Sequence, residues 1–350
     1  MKIQHNLYPK LITKKNIFRG WKEFLVGKKK KKDVIIFQSN LEENLSNLYT
    51  SLKQKTYRPG GYTGFYVRDP KIRLIHKATV SDRVVHHIVS IVLEIIYEQT
   101  FYAHSYSCRK NKGTHRGVIA LQKMALKASR NNTRTCWALK CDVKKFFASV
   151  NQQILFEILN RRIKDKDFLD LLHKIINSFY SDRADDLSNK KGIPIGNLTS
   201  QLFSNIYLDD LDQFIKHKLK VKYYIRYADD FVFLSHDKNY LENLVTPVKE
   251  FLKKELDLEL HPDKILFKKL VGGIDFLGYI IFPYHILPRT KTKRRLIKKI
   301  RRRIKEYKRG KITEDILNQT IQSYLGYLTH ANTYKFKQKL QNLIWFWLTE

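Results

Sequence analysis

The 350-residue chain has no uninterrupted apolar run near the ~20 residues that a membrane-spanning helix needs. It also lacks an N-terminal apolar core followed by a small-residue cleavage site, so no secretory signal is expected and a cytoplasmic location is. Cysteine is scarce. Cys108, Cys136 and Cys141 make an odd count without a CxxC pair or His-rich metal spacing, which argues against a disulfide framework or a zinc site. They are expected to be small buried hydrophobes in a reducing compartment. Acidic residues are the other shortage: 33 Asp and Glu face 67 Lys and Arg, leaving a formal charge of +34. A polyanion relieves such self-repulsion, and nucleic acid is a better partner than an anionic membrane. No internal repeat or low-complexity linker is visible. The 43% hydrophobic and 13% aromatic content is that of a globular chain, with length for about two domains.

What is present reads largely as helix. Asn40 is placed to cap a helix over 41–52, where Leu41, Leu45, Leu48 and Leu52 make one apolar face. The run Lys28 to Lys32 reads as a basic loop. After Arg58-Pro59-Gly60-Gly61, two strands over 62–67 and 71–76 are expected around a turn at Arg68-Asp69-Pro70. Helices are expected over 82–97, 117–129, 152–180 and 198–218. The approach to the second, Cys108 to Arg116, carries Arg109, Lys110, Lys112 and Arg116 around Gly113, a set suited to a phosphate backbone. Over 291–308, Leu296, Ile297, Ile300 and Ile304 recur at helical spacing among basic residues that include Arg294, Arg295, Lys298, Arg301 and Arg302. This predicts a helix with a narrow apolar stripe on protein and a basic face toward an anion; a membrane-surface helix is the alternative. The tail, 312–348, is again helical and ends in Trp345-Phe346-Trp347.

Two acidic sites carry the chemistry. Cys136 to Asp142 is a short apolar segment, suited to a buried strand that delivers Asp142 to a sheet edge. Val221 to Tyr227 and Phe231 to Leu234 flank Ala228-Asp229-Asp230, which predicts a hairpin with the acidic pair at its turn. Carboxylates among apolar residues need a cation or donor to compensate them. Magnesium suits the task, and two such ions, about 3.5 to 4 Å apart, can serve an in-line phosphoryl displacement. The ordinary alternative is an exposed Asp pair in a loop.

Tyr227-Ala228-Asp229-Asp230, preceded by Ile225-Arg226 and followed by Phe231-Val232-Phe233, resembles the catalytic YxDD hairpin of reverse transcriptases. Asp142, within Lys140-Cys141-Asp142-Val143-Lys144-Lys145-Phe146-Phe147, resembles their first catalytic motif. Lys71-Ile72-Arg73, Ser105 to Arg116, Gly192 to Asn205, the Lys264 segment and Phe276-Leu277-Gly278-Tyr279 resemble further motifs in the family's order. Where many group II intron types carry Gln-Gly and then Ser-Pro, this chain has Ile195-Gly196-Asn197-Leu198-Thr199-Ser200-Gln201. That form resembles the reverse transcriptases of diversity-generating retroelements, as does Ser323-Tyr324-Leu325-Gly326-Tyr327 with His330-Ala331-Asn332. The length, without an evident maturase or endonuclease appendage, agrees.

The resemblance implies an α+β right-hand polymerase: an N-terminal extension over 1–50, fingers over 51–135, a palm with an antiparallel sheet over 136–285, and a basic helical thumb over 286–350. Within the palm range, assignment of part of 150–200 to the fingers is the alternative. It implies RNA-directed DNA polymerase activity with Asp142, Asp229 and Asp230 as the catalytic carboxylates. They and the Val143 carbonyl would hold two Mg²⁺ ions, for which Mn²⁺ could substitute. Lys71, Arg73, Phe147, Ile195, Gly196 and Lys264 would line the dNTP site, Phe147 excluding a ribose 2′-hydroxyl and Lys264 donating a proton to pyrophosphate. Phe276, Leu277, Gly278 and Tyr279 would form the primer grip. With Ile195 in place of a Gln amide, the nascent base pair meets an apolar contact, which discriminates weakly. Low fidelity is therefore expected, which for the family it resembles implies misincorporation opposite template adenines, with Arg73, Ile195 and Gln201 as contributors. Implied partners are template RNA, an RNA–DNA duplex, dNTPs and a small basic oligomeric accessory variability protein, in a bacterial or phage-encoded setting. Core packing for Phe147 and Ile195 and a surface role for Lys264 remain open. So do retron, abortive-infection or group II intron types, and a non-catalytic RNA-binding scaffold.

Overall fold

The computed structural model describes residues 3–69, 71–179 and 190–350. Four helices open the chain: α1 (Tyr8–Leu11), α2 (Lys14–Leu25), α3 (Lys32–Ser39) and α4 (Leu41–Lys53). Thr13 caps α2 by accepting from the Asn16 amide at 3.1 Å, satisfying one orphan donor. Asn40 stands at the expected cap of α4 but makes no side-chain bond there; Glu42 and Glu43 in the first turn complement the helix dipole instead. The lysine run is only partly a loop, because Lys32 begins α3 and the Lys28 ammonium folds back onto the Phe24 carbonyl at 2.9 Å.

Strands β1 (Thr63–Val67) and β2 (Arg73–Lys77) pair antiparallel as an exposed hairpin. Pro70 of the expected turn lies outside the described residues. α5 (Val80–Tyr97) is capped by Thr79 and buried along most of its length. α6 (Thr114–Ala128) begins earlier than expected, where Gly113 takes φ +101°, a conformation that glycine reaches without strain.

Then come β3 (Trp137–Asp142), α7 (Phe146–Ser149), α8 (Gln152–Arg162), α9 (Lys166–Asn177) and α10 (Leu198–Gln213). The helix expected over 152–180 is two helices, and Tyr180 lies outside the described residues. The break is made by Asp165. One of its oxygens caps α9 at the Phe168 amide, 3.0 Å, and the other accepts from the amides of Leu7 and Tyr8 at 2.6 and 2.8 Å. That anchors the N-terminal helices. α10 runs into a π turn over Phe214–Lys218.

β4 (Tyr223–Tyr227), β5 (Asp230–Ser235), α11 (Lys238–Asn243), α12 (Val245–Leu256) and β6 (Leu266–Lys269) complete the central sheet, in the antiparallel order β4-β5-β3-β6. β3 is thus an interior strand, and Asp142 sits at its C-terminal end rather than on a sheet edge. Phe231 and Phe233 of β5 face a core built with α1–α5, α8–α10 and α12. Val232 and Leu234 face a second core, with α6 and the small sheet of β7 (Ile274–Phe276), β8 (Tyr279–Ile281) and β9 (Ile286–Pro288). Both faces being covered explains why β5 is a continuous apolar run rather than an alternating one.

The chain ends in α13 (Thr290–Lys308), α14 (Glu314–Leu328) and α15 (Tyr334–Thr349), which pack around their own core with Leu296, Ile300 and Ile304 as the α13 stripe. The expected tail helix is therefore interrupted before Tyr334. Cys136 and Cys141 are buried, and burial pushes their thiols up to about 11 and about 12; Cys108, expected inside, is exposed.

Candidate active site

Three carboxylates meet at one end of the sheet because of strand register. Tyr227 pairs with Asp230 across β4 and β5, which leaves Ala228-Asp229 as a two-residue connection. Ala228 takes φ +52°, which costs an L-residue roughly 1 kcal/mol. Across β3 and β5, Asp142 stands directly opposite Asp230. The Val143 amide donates to the Asp229 carbonyl at 3.1 Å, tying the turn to the end of β3.

Burial pushes the Asp229 carboxyl above its ordinary range, and Asp142 adds to the shift. Burial likewise pushes Asp230 up to about 6, against the opposing charge of Lys140. Two lysines answer this concentration of charge. Lys264 places its ammonium 2.6 Å from one Asp142 oxygen. Lys140 sits 3.0 Å from an Asp230 oxygen and donates to the Asp275 carbonyl at 3.1 Å. The other Asp230 oxygen is buried without a hydrogen-bond partner. Among the described residues, no three His, Cys, Asp or Glu side chains are gathered closely enough to hold a metal ion as they stand. The donor chemistry nevertheless fits a hard divalent cation: all donors are oxygens, the carboxylates repel one another, and one buried oxygen lacks a partner.

Below the turn lies a fully buried polar network that the sequence reading did not single out. Arg226 of β4 and Asp212 of α10 form an ion pair with N–O separations of 2.8 and 2.5 Å, both side chains inaccessible to solvent. Tyr224 donates to Asp212 at 2.8 Å, and Arg226 donates to the Ala228 carbonyl at 3.2 Å. The guanidinium thus touches the turn that carries Asp229. Its visible signal was a charged residue inside an otherwise aromatic and apolar strand.

The residues expected around the nucleotide lie on two segments that touch. The His76 amide of β2 donates to the Ile195 carbonyl at 3.0 Å. Gly196 has φ +114°, and a Cβ there would stand 2.6 Å from the Ile75 side chain, so this close approach requires glycine. Arg73 is exposed, yet its charge reaches Asp229. Phe147 packs edge-on against Phe146 and its carbonyl accepts from the Ile193 amide at 2.8 Å. Ile195 is half-buried; Lys71, Gly196 and Gln201 are exposed.

Phe276 and Tyr279 pair at the start of a tight hairpin whose loop residues, Leu277 and Gly278, both have positive φ, as a type I′ turn requires. The third helical unit docks on this hairpin. Tyr327 stacks on Tyr279 at 4.9 Å and donates to the Gly278 carbonyl, while Asn332 exchanges two bonds with the Ile286 backbone. His330 stacks on His115 at 3.5 Å.

The basic residues divide. Arg109 is not a free phosphate contact: its side chain is buried, pairs with Glu98 at 2.9 Å, and donates to the carbonyls of Tyr102 and Ser105. Lys110 pairs with Glu94, Lys112 donates to the Ala103 carbonyl, and Arg116 donates to the Asn111 carbonyl from an exposed position. On α13, Arg294, Arg295, Lys298, Arg301 and Arg302 are all exposed. Asp69, at the tip of the β1–β2 hairpin, pairs with Lys299 at 2.9 Å and Arg295 at 3.4 Å, joining hairpin to α13.

The chain is 26% identical over 297 residues to the putative COX1/OXI3 intron 2 protein of Saccharomyces cerevisiae, a match covering 69% of this chain and 32% of that protein. It is 24% identical over 305 residues to the group II intron-encoded protein LtrA of Lactococcus lactis subsp. cremoris, covering 69% of this chain and 50% of LtrA. The chain thus spans a third to a half of these relatives. A structure of telomerase from Candida albicans in complex with a telomeric RNA fragment aligns with 85% of this chain and 61% of its own, at 12% identity and a TM-score of 0.49. No helix is long and apolar enough to cross a membrane among the described residues. The family model for reverse transcriptase (RNA-dependent DNA polymerase) matches residues 67–281, more than half of the chain, and brackets all three carboxylates. The chain belongs to the reverse transcriptase family, and its mixed helical and antiparallel-sheet architecture is the right-hand polymerase fold.

Proposed function

We propose that this protein copies a retroelement template RNA into cDNA and belongs to the diversity-generating type, with errors concentrated opposite template adenines. The observation that carries the polymerase reading is the convergence of Asp142, Asp229 and Asp230 at one sheet end, with a buried Asp230 oxygen lacking a partner. Asp142, Asp229 and the Val143 carbonyl would hold two Mg²⁺ ions, with Asp230 in support. When bound, the ions supply activation of the primer 3′-hydroxyl and stabilisation of the leaving pyrophosphate.

The chain's own residues do the rest. Lys71 and Arg73, projecting from the exposed β1–β2 hairpin, grip the triphosphate with charge-assisted bonds. Phe147 blocks a 2′-hydroxyl. Lys264 leaves Asp142 to protonate pyrophosphate. Phe276 to Tyr279 holds the primer, and the exposed cations of α13 follow the duplex backbone as a thumb, with residues 51–135 as fingers and 136–285 as palm. The subtype reading rests on Ile195, which replaces a Gln amide of the resembled motif by an apolar side chain and would restrain the base pair weakly, with Arg73 and Gln201 as further contributors. A basic oligomeric accessory protein would be the partner of that type.

A second reading is supported by the curated relatives, which are intron-encoded proteins: this chain would then be a group II intron-type reverse transcriptase. Primer extension on an adenine-containing RNA with Mg²⁺ and dNTPs, followed by cDNA sequencing, separates the two. Asp229→Ala is expected to lower extension by about a hundredfold or more, the scale of losing one electrostatic stabiliser of a transition state. Errors opposite adenine that fall in Ile195→Gln support the diversity-generating type. Accurate wild-type cDNA moves the assignment to the intron type, and full activity in Asp229→Ala removes the catalytic one.

A further inference from the structure

An open groove of about 950 Å³ lies away from the carboxylates, along the outer face of α6, closed on its other side by the loop at His104 and the start of β4. Arg116, Lys123 and Lys127 follow one another along α6 at spacings that keep them on one face, Arg130 continues the line past the helix end, and Lys222 faces them. All five are exposed and the groove has no acidic lining residue. Among the described residues none of the five is paired with a carboxylate. The opposite face of α6, with Val118, Leu121 and Ala125, is buried against the sheet, so the helix cannot turn its cations elsewhere.

Aromatic rings are interleaved with the charge. His104 and Tyr223, both half-buried, line the groove and present its ring faces, while Tyr106 is buried in its wall; Lys222 lies over the Tyr223 ring at 5.5 Å. Burial first, and then the charges of Lys112, Lys216 and Lys127, hold His104 below the ordinary histidine range, as expected of an electropositive pocket. Cations that follow a backbone beside faces on which bases can stack are the chemistry of single-stranded nucleic acid recognition. A smooth duplex offers no unstacked base to such rings.

We propose that this groove is a second RNA-binding site, holding a single-stranded segment of RNA outside the polymerase cleft. β4 begins at the groove and ends at Tyr227, beside the catalytic turn, so its five residues separate the two sites by about 13 Å of extended chain. None of the residues expected to handle nucleotide or primer lines the groove except Arg116, which was assigned only to a phosphate backbone. The inference rests on membership of the reverse transcriptase family and is independent of subtype. It gives the fold a place to retain RNA that is not being copied.

The test uses the full chain loaded with a saturating primer–template duplex, so that the cleft is filled. A labelled oligouridylate of about 12 nucleotides, within the usual site size for such grooves, is then titrated by fluorescence anisotropy. The wild type is expected to bind it without displacing duplex. The triple variant Lys123→Glu, Lys127→Glu, Arg130→Glu is expected to bind at least about tenfold more weakly, and removing three phosphate contacts should make the log–log salt slope shallower by about 2. Extension of a short preannealed primer is expected to stay within about twofold, which also shows that the variant folds. Tyr223→Ala is expected to weaken oligouridylate binding with little change in the salt slope, because it removes stacking rather than charge. Displacement of oligouridylate by duplex, unchanged affinity in the triple variant, or equal binding of anionic vesicles with the same loss would each overturn the proposal. Loss of extension in Asp229→Ala with oligouridylate binding intact would show that the two sites stand or fall separately.

Discussion

Arg226 carries its charge where water cannot reach it, and the Asp212 carboxylate, itself held by Tyr224, makes that tolerable together with the Asn205 and Ala228 oxygens. Removing one partner of a buried pair leaves an uncompensated charge, at a cost of about 3 to 5 kcal/mol, whereas replacing both by apolar residues can be nearly neutral. Arg226→Met is therefore expected to lower the urea midpoint sharply, and Arg226→Met with Asp212→Leu to recover much of it. Equal midpoints for the single and double variants would show that the pair contributes little by pairing. The case marks the limit of what single residues reveal. The meeting of Asp142, Asp229 and Asp230 at one sheet end was legible because carboxylates among apolar neighbours demand an explanation within a few residues of chain. Lys140 finds its partner across strands and Arg226 on the helix that precedes its own strand, so their roles depend on register and packing that local pattern does not contain. Arg109 was misread for the same reason: its basic neighbours are visible in sequence, while Glu98 and the carbonyls that consume its donors are brought in by the fold.

At the scale of elements, periodicity placed the helices and the hairpin that carries Asp229 and Asp230 well because an apolar stripe or a two-residue turn is a local property. It failed at joints. Nothing periodic announces that Asp165 ends one helix and caps the next, since that side chain is also recruited by the Leu7 and Tyr8 amides far away in sequence. α5 shows a second kind of hidden property. His86 lies within its buried length, with one ring nitrogen unpartnered among the described residues, and burial brings it down to about 4. In the unfolded chain it titrates near 6.5. The unfolded state therefore binds more protons below that pH, and the stability contributed by the neutral ring is complete above pH 6.5 and lost as pH falls toward 4. The loss is expected to reach up to about 3 kcal/mol. Urea unfolding of the wild type and His86→Leu across this window checks it: the difference between them should change with pH, and a constant difference would mean the ring is solvated in the fold.

On the scale of the whole molecule, the +34 charge is held far from uniformly. α13 presents an exposed basic face, and Asp69 reaches it from the β1–β2 hairpin through Lys299 and Arg295. Exposed pairs of this kind contribute about 0.2 to 1 kcal/mol each and weaken as salt rises. Asp69→Lys is expected to leave the melting temperature nearly unchanged while shortening the lifetime of the enzyme on an RNA–DNA duplex, read as the rate of release into a heparin trap. An unchanged release rate would mean that the contact has no part in retention. The same contact ties the hairpin tip to a helix 230 residues further along the chain. Because salt screens exposed pairs, raising the ionic strength loosens this tie between the early and late parts of the molecule while leaving the packing within each untouched.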